Sequence, residues 1–164
     1  LIAALVKICL VAVLSLIFYQ DQKERQVWFF LFPLFALLGT TLFYMNTNST
    51  TYLYAILINL LIVGMLLLVL FILSRWVWNK KSLKEALGLG DILFFVGFAV
   101  SFPTVSFINF FAFSMIFALV IHRLLLKWKS LTHATVPLAG WMSLFLIMIY
   151  AAHWAGLYDE LYLI

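Results

Sequence analysis

Gly88-Leu89-Gly90-Asp91 heads an apolar run of about eleven residues, Ile92 to Phe102. The order Gly-x-Gly-Asp sets a carboxylate at the mouth of a segment that suits lipid. A carboxylate there is costly and marks a functional-site candidate. The same residues also fit a plain helix start, because Asp is a favoured N-cap and Gly commonly closes a preceding turn. At 1.5 Å per residue the run from Asp91 to Phe102 covers about 18 Å, short of a hydrocarbon core of roughly 30 Å. Either it holds Asp91 below the membrane surface or it continues past Pro103.

Outward from this run the chain stays apolar. Of 164 residues, 67% are hydrophobic and 10% charged, and the mean hydropathy is +1.18. So few charges could not wet the surface of a soluble domain. The sequence therefore predicts an all-α, polytopic integral membrane protein, with residues 1–164 as one domain of six transmembrane helices. The net charge of +4 is no nucleic-acid signature, because the basic residues lie in the gaps between apolar runs. A single cysteine, Cys9, excludes an internal disulfide and a Cys-based zinc site. No small-residue cleavage site follows the first run, so it reads as a span and not as a signal peptide.

On the N-terminal side of the motif, Asn79 to Leu87 is a polar link carrying Lys80, Lys81 and Lys84. Ser82 and Glu85 have capping-box spacing, which predicts a short surface helix stopping at Gly88. Before it lies the third span, Tyr52 to about Val77, ended by Arg75, Trp76 and Trp78. The second span is Val27 to Tyr44, with Pro33 inside it as an expected kink. The first is Leu1 to Phe18, followed by the polar turn Tyr19 to Gln26. Beyond Pro103, Ser106 to Leu126 forms the fifth span and Thr135 to about Leu157 the sixth. The uncharged loop Met45 to Thr51 contains an N-glycosylation sequon at Asn48, close to the membrane.

Basic residues then set the orientation. Nine of the ten Lys and Arg side chains, all but Lys7, fall in or beside the first-to-second, third-to-fourth and fifth-to-sixth links. Those links should face the cytoplasm, with both termini external. Asp21, after the first span, and Asp91, before the fourth, come out on this same side.

Two carboxylates held close cannot both ionise easily, so near neutrality one is an acid and the other a base. Such a pair activates a water against a peptide carbonyl and protonates the leaving nitrogen. Gly88 and Gly90 would let a substrate backbone approach Asp91. Taken alone, Asp21 fits better as a solvated turn residue paired with Lys23 or Arg25 than as a catalytic group. His153 in the sixth span is expected to pack through a hydrogen bond, and Asn59 and Asn109 to bond between helices. His122 and His133 lack zinc-ligand spacing. Trp28, Trp128, Trp141 and Trp154 fit interface belts or core packing. No metal or cofactor is expected, and Asp159 and Glu160 belong to the far side.

Asp21-Gln22-Lys23-Glu24-Arg25-Gln26-Val27 resembles the Asp-x-x-x-Arg-x-Ile/Val run that follows the first core helix of type IV prepilin and preflagellin peptidases. Gly88-Leu89-Gly90-Asp91 is similar to the Gly-x-Gly-Asp motif of that family, and Thr135 to Gly140 to a shortened form of its Ile-Pro-Phe-x-x-x-Leu-Ala-x-Gly region. The resemblance implies that Asp21 and Asp91 are the catalytic pair, with Lys23, Arg25, Gly88 and Gly90 shaping the site. It also implies a partner class: pilin-like precursors cut between a basic leader and an apolar N-terminal helix, at the cytoplasmic membrane. The chain departs from many members at Trp28-Phe29, where they carry Pro-Asn, and at Leu93, where they carry Lys. It lacks the cysteine-bearing cytoplasmic region of the larger bacterial members, so methyl transfer to the new N-terminus is not expected. The alternative is a non-enzymatic transporter or assembly subunit, with the carboxylates as a proton or cation relay. A relay calls for carboxylates at mid-membrane with a path to both faces, whereas both acids here stand at one.

Overall fold

In lipid the backbone must satisfy its own hydrogen bonds, and apolar runs meet that demand as helices. A computed structural model describes residues 2–76, 88–127 and 136–163. Among them are six helices: α1 (Ile2–Lys23), α2 (Leu31–Met45), α3 (Ser49–Trp76), α4 (Leu89–Ala99), α5 (Thr104–Lys127) and α6 (Leu138–Trp154). The described residues contain no strand.

The six helices differ in length. Among the described residues only α1, α3 and α5, with 22, 28 and 24 residues, are long and apolar enough by length and composition to cross a membrane. Helices α2, α4 and α6 have 15, 11 and 17 residues. The long helices keep apolar outer faces, as with Leu53, Leu57, Leu61, Met65 and Leu68 of α3, which suits a bilayer and not water. Helix α1 packs on α6 and α2, α6 on α5, α2 on α4, and α3 on α4 and α5.

The core is built largely from phenylalanine. Phe94, Phe95 and Phe98 of α4 are fully buried against Phe35 of α2 and Phe107 and Phe111 of α5. Helix α4 is thus inside the bundle, and α2 meets it at small residues. A methyl group on Gly97 would lie 2.8 Å from the Phe35 ring, and one on Gly39 would overlap the Ser101 side chain.

Several expectations change. The second span does not begin at Val27: Trp28 to Phe30 forms a turn, and α2 starts at Leu31. Pro33 therefore lies in the first turn, where its missing N–H leaves no bond unmade, and it need not kink the helix. The fourth segment does not run on past Pro103. Helix α4 ends at Ala99, and Ser101 and Phe102 are fully buried in the bend that leads to α5. Asn59 of α3 makes that burial possible, since its Nδ2 donates to the carbonyls of Ala99 and Phe102, both at 2.8 Å. Thr40 Oγ1 of α2 donates to the Val100 carbonyl at 2.9 Å. Asn109, in contrast, is exposed on α5 and bonds no neighbouring helix among the described residues. The polar link with Lys80, Lys81 and Lys84, the Ser82/Glu85 capping box, and Trp78, Trp128, Lys129, His133 and Thr135 lie outside the described residues.

Candidate active site

The N-terminus of α6 begins without a cap of its own. Pro137 is its N-cap residue; it has no N–H, and no side chain within the segment bonds the first amides. The leading amides of a helix need acceptors, and their aligned dipoles favour negative charge. Two carboxylates from other helices supply both. The Ala139 amide donates to Asp91 Oδ1 at 3.0 Å, and the next amide, Gly140, donates to Asp21 Oδ2 at 2.6 Å. Adjacent amide nitrogens sit about 3 Å apart, which keeps the two accepting oxygens within about 9 Å of each other.

Each acid reaches this point by a local device. Helix α1 does not stop at Phe18 but continues to Lys23, so Asp21 stands in its last turn and not in a solvated loop. The turn then closes at Arg25, whose φ of 55° is left-handed. Buried Gln20 secures the return, its Oε1 accepting the Trp28 amide at 3.0 Å. Asp91 is the third residue of α4 and not its N-cap, which is Gly88. Its carboxylate interacts with the Gly88 amide as well as with Ala139. Both acids are half-buried.

The glycines act on the acids more than on open space. A methyl group on Gly88 would lie 3.3 Å from Asp91 Oδ2, and one on Gly90 would lie 3.1 Å from the Phe32 ring. Gly140 is tighter: a methyl group there would come within 2.9 Å of Asp21 Oδ2 and 3.1 Å of Asp21 Cβ. Gly140 is therefore a site residue beyond the two motif glycines. Its signal in the sequence is the resemblance of Thr135 to Gly140, which ends on it.

Of the two basic residues assigned to the site, Arg25 lies within electrostatic reach of both aspartates and of buried His122. Lys23 points elsewhere, its Nζ bonded to Tyr19 Oη at 3.0 Å and exposed. Asp159 and Glu160 are exposed in the tail after α6, at the opposite end of the bundle from Asp21 and Asp91. His153 packs through Nδ1 on the Tyr158 carbonyl at 2.7 Å. Among the described residues no group of three or more His, Cys, Asp or Glu side chains could hold a metal ion.

The arrangement sets two carboxylates side by side on a positive helix end, with a guanidinium near. Two carboxylates within about 9 Å of each other suit a water oriented between an acid and a base. No family model, curated protein or solved structure matches this chain.

Proposed function

We propose that this chain is a membrane aspartic endopeptidase that uses Asp21 and Asp91 as one catalytic pair. One observation carries the reading: residues seventy positions apart in sequence accept hydrogen bonds from the consecutive amides of Ala139 and Gly140. One carboxylate takes the proton of an attacking water, and the other protonates the leaving peptide nitrogen. The substrate class is a pilin-like precursor with a basic leader before an apolar helix, cut at the cytoplasmic face without methylation. The resemblance of Asp21 to Val27 and of Gly88 to Asp91 to the prepilin peptidase motifs supports that class. Both termini are then external.

A second reading draws on the same two bonds. The carboxylates could serve only as caps that α6 lacks, with no chemistry. Asn accepts a capping bond about as well as Asp, and this separates the readings. The chain would be co-expressed with a pilin-like precursor in cells lacking any other such enzyme, and the precursor's N-terminus weighed. Under the peptidase reading Asp21→Asn and Asp91→Asn each leave folded, membrane-inserted protein that does not cut. Processing by both variants at the wild-type rate would leave capping as the sole role.

A further inference from the structure

At the end of the bundle opposite the aspartates, Lys7, Leu42, Asn46, His153, Trp154 and Tyr162 line a cleft of about 180 Å³. Among the described residues it holds the one Lys or Arg side chain of that end. Lys23, Arg25, Arg75, Arg123 and Lys127 all stand at the other. The Lys7 ammonium lies 5.2 Å from the centre of the Trp154 ring and makes no ion pair with any described residue. Asp159 and Glu160, the acids of that end, are exposed and do not pair with it. A ring face leaves ammonium hydrogens free for an anion.

The cleft also fixes an acceptor. His153 Nδ1 meets the Tyr158 carbonyl at 2.7 Å, and a carbonyl can only accept. Nδ1 therefore carries the hydrogen, and Nε2 of the neutral ring is left as an acceptor. Asn46 commits one of its two Nδ2 hydrogens to the Leu42 carbonyl at 2.7 Å, which leaves its oxygen and one N–H to offer. A lysine ammonium beside the acceptor atoms of Asn46 and His153 suits a ligand with an anionic group and a hydrogen-bond donor next to it. The volume is below the roughly 300–1,000 Å³ of sites for drug-sized molecules, so it takes a small group and not a whole ligand. Lys7 lies about 8 Å along the axis from the start of α1, a depth at which headgroups meet acyl chains. Exposed Ile2 and Leu5 offer apolar surface next to it.

We propose that this cleft seats the phosphodiester headgroup of a membrane phospholipid that carries a hydroxyl donor, with the phosphate on Lys7 and the acyl chains along α1. The site is independent of the aspartate pair.

Native mass spectrometry of the full chain in detergent tests this with added phosphatidylglycerol or phosphatidylcholine. Wild type, Lys7→Arg and the opposite-end control Lys127→Gln should retain phosphatidylglycerol alike. Lys7→Gln should lose roughly tenfold or more in retention, the loss of one hydrogen bond to a charged group. Phosphatidylcholine, lacking a donor, should be held more weakly by wild type. Inorganic phosphate should fail to displace the lipid; displacement at millimolar concentration would make the ligand a free phosphate and overturn the lipid assignment. Equal retention by wild type and Lys7→Gln would overturn the site. A photoreactive phosphatidylglycerol headgroup gives a second measurement on wild type alone, free of any folding defect. Crosslinks should map near Lys7, Asn46 and His153, and crosslinks confined to the opposite end would reject the proposal.

Discussion

The C-terminal end of α4 and the N-terminal end of α6 are both closed by side chains of other helices, and by different chemistries. The C-terminal end of α4 hands its carbonyls to Asn59 and Thr40, neutral groups placed on α3 and α2. The N-terminal end of α6 hands its amides to Asp21 and Asp91, two ionisable groups from α1 and α4. Neutral side chains suffice to close a helix end, as α4 demonstrates. A pair of carboxylates does the same job with like charges held close, which is unfavourable unless a proton is shared. That second ionisable group at the α6 end is the feature on which the proposed catalytic pair rests.

The largest expected effect breaks the α6 side of that contrast. Asp21→Asn or Asp91→Asn should each lower precursor cleavage by on the order of 10²–10⁴-fold, the range for a positioned acid or base. The double variant should be no worse than the poorer single one, because groups that act as a unit are non-additive. Wild-type activity against pH should be bell-shaped, with values that belong to the pair. A steady multiplication of the two single losses in the double variant would argue against one unit.

Gly140→Ala should come next. Its new methyl group would press on the Asp21 carboxylate and Cβ and push the acid off the amide that holds it. Cleavage should fall steeply while the thermal midpoint moves little. Gly88→Ala, whose methyl group meets only Asp91 Oδ2 at 3.3 Å, should be milder. The reverse order of activities would show that access at Gly88, and not carboxylate placement at Gly140, limits the site.

Much of this was legible before any coordinates. Apolar runs broken by basic links foretold an all-helical chain, because hydropathy and charge act locally. Asp21 and Asp91 were legible as motif residues on one side. The reason they meet was not, since it lies in a third segment whose amides carry no side-chain signature. Gly140 closes the Thr135 to Gly140 stretch that resembles the third family motif, but its role beside Asp21 is visible only in the contact. The fourth run counts among six spans in the sequence, with Ser101 and Pro103 marking its end, whereas the helix stops at Ala99. That end depends on Asn59, forty residues upstream of Ala99, and no local pattern links the two. Asn109 has the same side-chain chemistry and the opposite fate, exposed on α5. Composition cannot tell the two apart; the rotational setting of each helix does.

The neutral end of α4 should fail through stability and not through chemistry. Asn59→Leu leaves two buried carbonyls without this donor and should cost about 1–3 kcal/mol. Thr40→Val removes one donor and should cost nearer 0.6 kcal/mol, the average for such bonds in a membrane bundle. Unfolding midpoints in detergent would rank the two. A loss of cleavage in Thr40→Val at unchanged midpoint would couple the two helix ends more tightly than their hydrogen bonds do.

The smallest effect is expected at Pro33. Two bonds place it in the first turn of α2: the Leu31 amide to the Trp28 carbonyl at 3.0 Å, and the Leu34 amide to the Phe30 carbonyl at 3.2 Å. The amides of a first turn have no intrahelical partner, so restoring an N–H at position 33 adds no bond and removes no kink. Pro33→Ala should therefore change stability by no more than about 0.5 kcal/mol, as for a substitution away from any special feature. Were the helix to run from Val27 through a kink at Pro33, the same substitution would straighten it. Phe32 would then shift against Gly90, and with it Asp91, so cleavage would fall along with the midpoint. Unchanged cleavage and an unchanged midpoint together place the start of α2 at Leu31 and leave the support of the site to the Phe32–Gly90 contact.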